Sequence, residues 1–181
     1  MTDKDRPSCI SHWTEVERPT AGHYRGDDEL MAFGASLGRH FGLSRLGIHH
    51  ERLPPGRRTS FPHAEELEEE FVYVIQGTPD VWLDGETYRL RPGDSVGFPA
   101  GTGLAHTFMN NTDAEVRLLV VGEANKPENR IFYPKNLDMK PKRPDWWDDA
   151  PVRPLGEHDG MPDAVRAWKA ANKEREEAGR E

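Results

Sequence analysis

Between residues 43 and 123 apolar and polar positions alternate in short bursts: EFVYVI at 70–75, PDVWLD at 79–84, ETYRL at 86–90, DSVGFP at 94–99, AHTFMN at 105–110 and EVRLLVVGE at 115–123. Successive side chains of a strand point to opposite faces, and β-branched and aromatic residues suit a pleated surface, so each burst predicts a short strand. Residues 46–53 predict another. The breaks carry turn chemistry. Leu83-Asp84-Gly85-Glu86, Arg91-Pro92-Gly93-Asp94 and Asn110-Asn111-Thr112-Asp113 hold residues that tolerate positive φ or preset a bend. Strands joined this tightly run antiparallel, and so many of them in one stretch predict a mainly β sandwich or barrel.

The flanks read differently. Residues 1–42 mix charge clusters and glycines around one apolar patch, Leu30 to Phe33, and predict an arm with a short strand there. Residues 124–160 are rich in proline and charge, yet carry Phe132, Tyr133, Trp146 and Trp147. Proline prevents regular structure while the aromatics supply anchors, so this is expected to be an extended wrapping tail. Two adjacent indoles suit either a pinned tail or a partner surface. From 162 to 178 the chain opens with Pro and Asp, places Ala164, Val165, Trp168 and Ala171 on one stripe and meets Gly179, which predicts a short amphipathic helix. The organisation expected is a single domain: an arm at 1–42, a barrel at 43–123, and a tail with its helix at 124–181.

With 181 residues the chain suits one domain, and 32 acidic against 24 basic side chains give a formal charge of −8. That disfavours the phosphate neutralisation on which nucleic-acid affinity rests. Cys9 is the single cysteine, so no intramolecular disulfide and no thiolate zinc site can form, and a reducing compartment fits. The first residues lack an apolar signal core, and no apolar run nears the ~20 residues of a membrane helix. A soluble cytoplasmic protein is expected, without nucleic-acid or membrane partners. A homodimer is also expected, because open sheet edges need cover and the Leu30–Phe33 patch of the arm could pair on a neighbour.

The chemistry concentrates in two stretches. In PGRRTSFPHAEELEEEFVYVIQG, His63 and Glu65 stand two apart, on one face of a strand, and Glu70 opens the next strand on the face shared with Val72 and Val74. Phe71, Tyr73 and Ile75 make the other face apolar too, so the Glu70 carboxylate starts an interior row and needs a cationic partner; a metal ion is the economical one. In GDSVGFPAGTGLAHTFMN, His106 can face the same interior. Against this stands the run of glutamates, since an acidic run is most often a solvated loop; Glu66, Glu68 and Glu69 are expected to face water. Of His49 and His50 only one can enter the barrel. Arg57 and Arg58 read as a solvated loop pair, or as a clamp for an anion. Tyr73 and Trp82 read as packing residues, and 98–103 as a glycine-dependent turn.

Taken together, Gly56, His63, Glu65, Glu70 and Gly77, followed by Gly93, Pro99, Gly101, His106 and Asn110, resemble the two motifs of the cupin superfamily. There are departures: one extra residue before His63, two before His106, and Glu65 where the family has its second histidine. The resemblance implies a small antiparallel barrel of jelly-roll type with one divalent metal ion on His63, Glu65, Glu70 and His106. Two imidazoles and two carboxylates favour Fe(II) or Mn(II) and are acceptable to Zn(II). The activity implied is that of a metalloenzyme acting on a small molecule in the barrel, a dioxygenase, isomerase or decarboxylase. Glu65 would be a fourth ligand or a catalytic acid/base, and the substrate would enter beside Phe108 and Asn110. The alternative implied is a non-catalytic module that binds or senses a small ligand.

Overall fold

The computed structural model describes residues 6–124 and 126–178. Its strands are Phe33–Ser36 (β1), Leu46–Leu53 (β2), Ala64–Glu65 (β3), Glu70–Gln76 (β4), Asp80–Leu83 (β5), Glu86–Arg89 (β6), Ser95–Phe98 (β7), His106–Met109 (β8), Val116–Glu123 (β9) and Ile131–Phe132 (β10). The helices are Trp13–Val16 (α1), Leu37–His40 (α2) and Asp163–Ala178 (α3), with a 3-10 helix at Leu137–Lys142. The predicted β bursts thus form strands. The Asp84-Gly85 turn between β5 and β6 has both residues at positive φ, 45° and 98°, the backbone that matches hairpin twist and that glycine and aspartate tolerate.

The strands assemble into two main antiparallel sheets, ordered β1-β2-β9-β4-β7 and β6-β5-β8, with β10-β3 as a small third. Leu53, Val72, Val74, Val116 and Leu118 of the larger sheet pack against Val81 and Phe108 of the smaller one. The result is a mainly β fold of the jelly-roll class, its core between the sheets. Period two decides what lies inside. Val72 and Val74 are 1% exposed, whereas Phe71, Tyr73 and Ile75 on the other face are 40–43% exposed. The strand expected to be apolar on two buried faces has one face open, so Tyr73 is a surface residue while Trp82, fully buried, is the packing residue expected.

The arm belongs to its own barrel. Its strand begins at Phe33, at the end of the Leu30–Phe33 patch, and pairs with β2 of the same chain, Phe33 opposite Arg52 and Ser36 opposite His49. This edge is therefore covered without a neighbour, which removes the reason first given for dimerisation. Trp13 stacks on His50 at 4.3 Å, and Arg52 grips Glu17 through two hydrogen bonds. The tail is pinned too: Trp146 and Trp147 are 7% and 4% exposed, and Trp82 Nε1 donates to His158 O at 2.9 Å. Arg58, read as a loop residue, is in fact buried. It donates twice to Glu29 of the arm and once to Gly160 O of the tail, each at 2.7 Å. Helix α3 forms as predicted, but its apolar stripe stays largely open, with Trp168 58% exposed. Arg166 anchors it instead, through Asp159 and Met161 O.

Candidate functional site

His63 and His106 meet where the loop before β3 bridges to β8. His63 N–H donates to His106 O at 3.1 Å and His106 N–H to His63 O at 2.9 Å, which makes them directly opposed residues of an antiparallel pair. Their ring centroids lie 4.9 Å apart. Glu70 arrives from the facing sheet, and its Oε1 lies 3.1 Å from His106 Nε2. Phe98, the cross-strand neighbour of Glu70, lies flat on the His106 ring at 3.5 Å between centroids and fixes its plane. Glu65 borders a cavity of about 10 Å³ together with Glu68, Glu70, Phe98 and His106, room for about one water or ion.

The electrostatics follow from burial and crowding. Burial pushes Glu70 up, but the His106 hydrogen bond and the charges of His106, His63 and His49 outweigh it and hold this carboxyl below its ordinary range. Glu65 lacks such donors: burial, with the charges of Glu70 and Glu68, pushes it up to about 8. Burial and the neighbouring His106 push His63 down to about 4, so its imidazole is neutral near pH 7.

Two further inward-facing residues stand on β2. Counting by two from the buried Leu53 puts Glu51 and His49 on the interior face, while His50 turns outward to Trp13. The same count on the sequence finds Glu51, which had not been singled out. Glu51 Oε2 is buried without a hydrogen-bond partner, and burial plus the Glu70 charge push this carboxyl up to about 8. An acid with a raised folded pKa keeps a proton that the unfolded chain loses near 4.5, so this contribution to stability falls as pH rises from about 4.5 to about 8. Between pH 5 and 8.5 the natural chain is therefore expected to lose on the order of 1–3 kcal/mol more unfolding free energy than Glu51→Gln. Urea titrations of both proteins at the two pH values measure it, and equal losses would refute the assignment.

Other expectations need correction. Phe108 and Asn110 are 1% and 0% exposed, and the Asn110 amide bonds Leu53 O and Ala114 O at 2.8 Å. Neither flanks an opening. Glu66 is held by Arg130 through two hydrogen bonds at 2.6 Å, and Glu68 faces the cavity, so of the three glutamates expected in water only Glu69 is exposed.

Whether these residues suit a metal ion is a matter of their ring nitrogens. His63 Nδ1 lies 3.0 Å from Phe61 O, an atom that can only accept, so the proton sits on Nδ1 and Nε2 keeps its lone pair. His106 Nε2 lies 3.1 Å from Glu70 Oε1, closer than its Nδ1 lies to Leu104 O at 3.4 Å, so Nε2 carries the proton and donates it to the carboxylate, a proton that a metal ion held between the two would replace. His63, tied to a backbone carbonyl through Nδ1, has the outer-sphere support that metal-binding histidines have. The donor chemistry fits a divalent ion. Among the described residues no group of three or more His, Cys, Asp or Glu side chains is placed so that it could hold a metal ion, and none of their helices is long and apolar enough to cross a membrane.

The family model described as a cupin domain matches residues 49–122. The chain is similar to the polyketide synthase CurC of Streptomyces cyaneus, 33% identical over 118 residues, which cover 65% of this chain and 70% of CurC. Among solved structures it is similar to a cupin-superfamily sugar phosphate isomerase from Silicibacter pomeroyi, at 34% identity and a TM-score of 0.61, covering 66% of this chain and 78% of that one. It is also similar to a putative sugar phosphate isomerase from Acidithiobacillus ferrooxidans, at 27% identity and a TM-score of 0.62, covering 71% and 83%.

Proposed function

This chain belongs to the cupin superfamily, and from that premise we propose that it is a metal-dependent enzyme that moves a proton next to the carbonyl group of a small molecule. His63, Glu70 and His106 hold one divalent ion of iron, manganese or zinc. The observation that carries this reading is the facing of His106 Nε2 and Glu70 Oε1 at 3.1 Å with neutral His63 beside them. When bound, the ion supplies Lewis acidity towards a carbonyl oxygen.

Glu65 is the catalytic acid/base. Its carboxyl borders the cavity and keeps its proton near neutrality, which suits it to give a proton to a substrate oxygen and to take one from the adjacent carbon. Phe98 holds the His106 plane. The similar proteins support this class of step: sugar phosphate isomerisation shifts a proton beside a carbonyl, and polyketide chains carry carbonyls whose neighbouring protons are labile. Wash-in of deuterium from D₂O into a panel of sugar phosphates and short β-keto thioesters, followed by mass spectrometry, tests it. Exchange above background with metal-loaded protein is expected. Exchange with no member of the panel, in protein that carries its metal, counts against catalysis of this kind.

That no group of three or more candidate ligands among the described residues is placed to hold a metal ion favours a second reading, a non-catalytic module that binds a small ligand. In that case panel members raise the melting temperature without any deuterium exchange. Residues 43–123 act as the barrel unit in either reading, wrapped by the arm and tail, in a soluble cytoplasmic protein. The assembly proposed is a homodimer through the open face of Phe71, Tyr73 and Ile75. Light scattering on a sizing column should give twice the 20.6 kDa chain mass, and a monomer at micromolar concentration refutes it.

A further inference from the structure

A separate cleft of about 540 Å³ opens between the arm, the loop before β3 and the 3-10 helix of the tail, within the size range of small-molecule sites. Tyr24 and Phe61, both in its lining, stack in parallel at 4.1 Å between centroids with 5° between planes, and Met139 adds an apolar side. Phe61 is 3% exposed and carries Arg58 over its ring, so it backs Tyr24, and Tyr24 with Met139 supplies the apolar lining against which a flat ring can lie. Around it stand Arg25, Lys142 and Arg143, set against Asp27 and Asp138. Arg143 is engaged with Asp145 through two hydrogen bonds. Arg25 and Lys142 have no carboxylate within salt-bridge distance among the described residues, so their charges are free for an anion. Asp27, Asp138 and the Asn136 side chain offer oxygens that a ligand hydroxyl can donate to. We infer that this cleft binds a planar aromatic acid bearing hydroxyl groups.

The cleft is distinct from the cavity at Glu65 and His106, and the inference does not depend on the metal reading. It stands one layer from that site: the Phe61 carbonyl accepts the His63 Nδ1–H bond, and the Tyr133 ring lies 5.8 Å from that of His63. An occupant therefore touches the residue that orients His63.

The test is isothermal titration of the full chain with 6-hydroxy-2-naphthoate, run with and without chelator, beside cyclohexanecarboxylate and 2-methoxynaphthalene. Saturable binding with a Kd below about 1 mM is expected for the hydroxynaphthoate alone, with or without chelator. Combining Arg25→Glu with Lys142→Glu, both at exposed positions, should weaken it at least about tenfold, with the circular dichroism spectrum unchanged. Magnetisation transfer from the ligand should reach the Tyr24 ring. No saturable binding, equal binding by the double variant, cyclohexanecarboxylate binding as well as the naphthoate, or transfer only to residues outside the cleft would overturn the inference.

Discussion

Arg58→Met is expected to lower the unfolding free energy by about 3–5 kcal/mol, enough to leave a marginally stable domain largely unfolded near physiological temperature. The Arg58 and Glu29 side chains are 1% and 4% exposed. The guanidinium makes both of its bonds to Glu29 at 2.7 Å and lies over the Phe61 ring at 4.6 Å. Methionine keeps much of the volume but strands a buried carboxylate, and the stranded charge rather than the lost attraction sets the cost. Lys169 Nζ, 3.6 Å from Glu29 Oε2, softens the loss towards the lower figure. Adding Glu29→Leu to Arg58→Met should restore most of the stability, since a matched apolar pair replaces a buried ion pair at little net cost. Urea unfolding followed by tryptophan fluorescence reads both. If the single variant unfolds like the natural chain, or the double variant is as weak as the single, the pair does not hold arm and tail in this way.

The second large effect is expected from Glu65→Gln. The amide keeps the size of the carboxyl but cannot exchange a proton, and general acid–base groups typically contribute about 10²- to 10⁴-fold. Deuterium wash-in by the metal-loaded variant should fall by that factor while metal content stays at the natural level. Loss of metal together with activity would instead make Glu65 a fourth ligand. Retention of both would remove it from the chemistry.

Much of the fold is legible in the sequence because strands announce themselves locally. The alternation along 70–75 and 115–123 and the Asp84-Gly85 turn need no distant partner to be read. What is set by distant partners is not legible. Nothing local to Arg57-Arg58 tells that the second arginine turns inward, because Glu29 and Gly160, which make burial tolerable, lie 29 and 102 residues away. The same holds for Glu66 with Arg130, and for α3, whose predicted stripe remains open because Arg166 does the anchoring. At the site, the two motifs name His63, Glu65, Glu70 and His106; the structure sets His63 and Glu70 against His106 and puts Glu65 on the same small cavity as Glu70 and His106. The motifs do not show that Phe98 stacks on His106, or that Glu51 joins the interior, although counting by two from Leu53 reaches Glu51. The electrostatic contrast between Glu65 and Glu70 is also invisible in one dimension: both belong to one acidic run, and only the second receives a histidine.

The central claim is that His63, Glu70 and His106 together hold a metal ion. The direct measurement is metal content by inductively coupled plasma mass spectrometry on untagged, folded protein from unsupplemented growth, comparing the natural chain with His106→Ala before and after reconstitution with iron, manganese and zinc. About one equivalent in the natural chain is expected. In His106→Ala the affinity should fall by more than the roughly 10- to 100-fold that losing an outer-sphere partner costs, leaving the variant essentially metal-free. An equal metal content in the two proteins, or a natural chain that neither carries nor takes up metal, would contradict it.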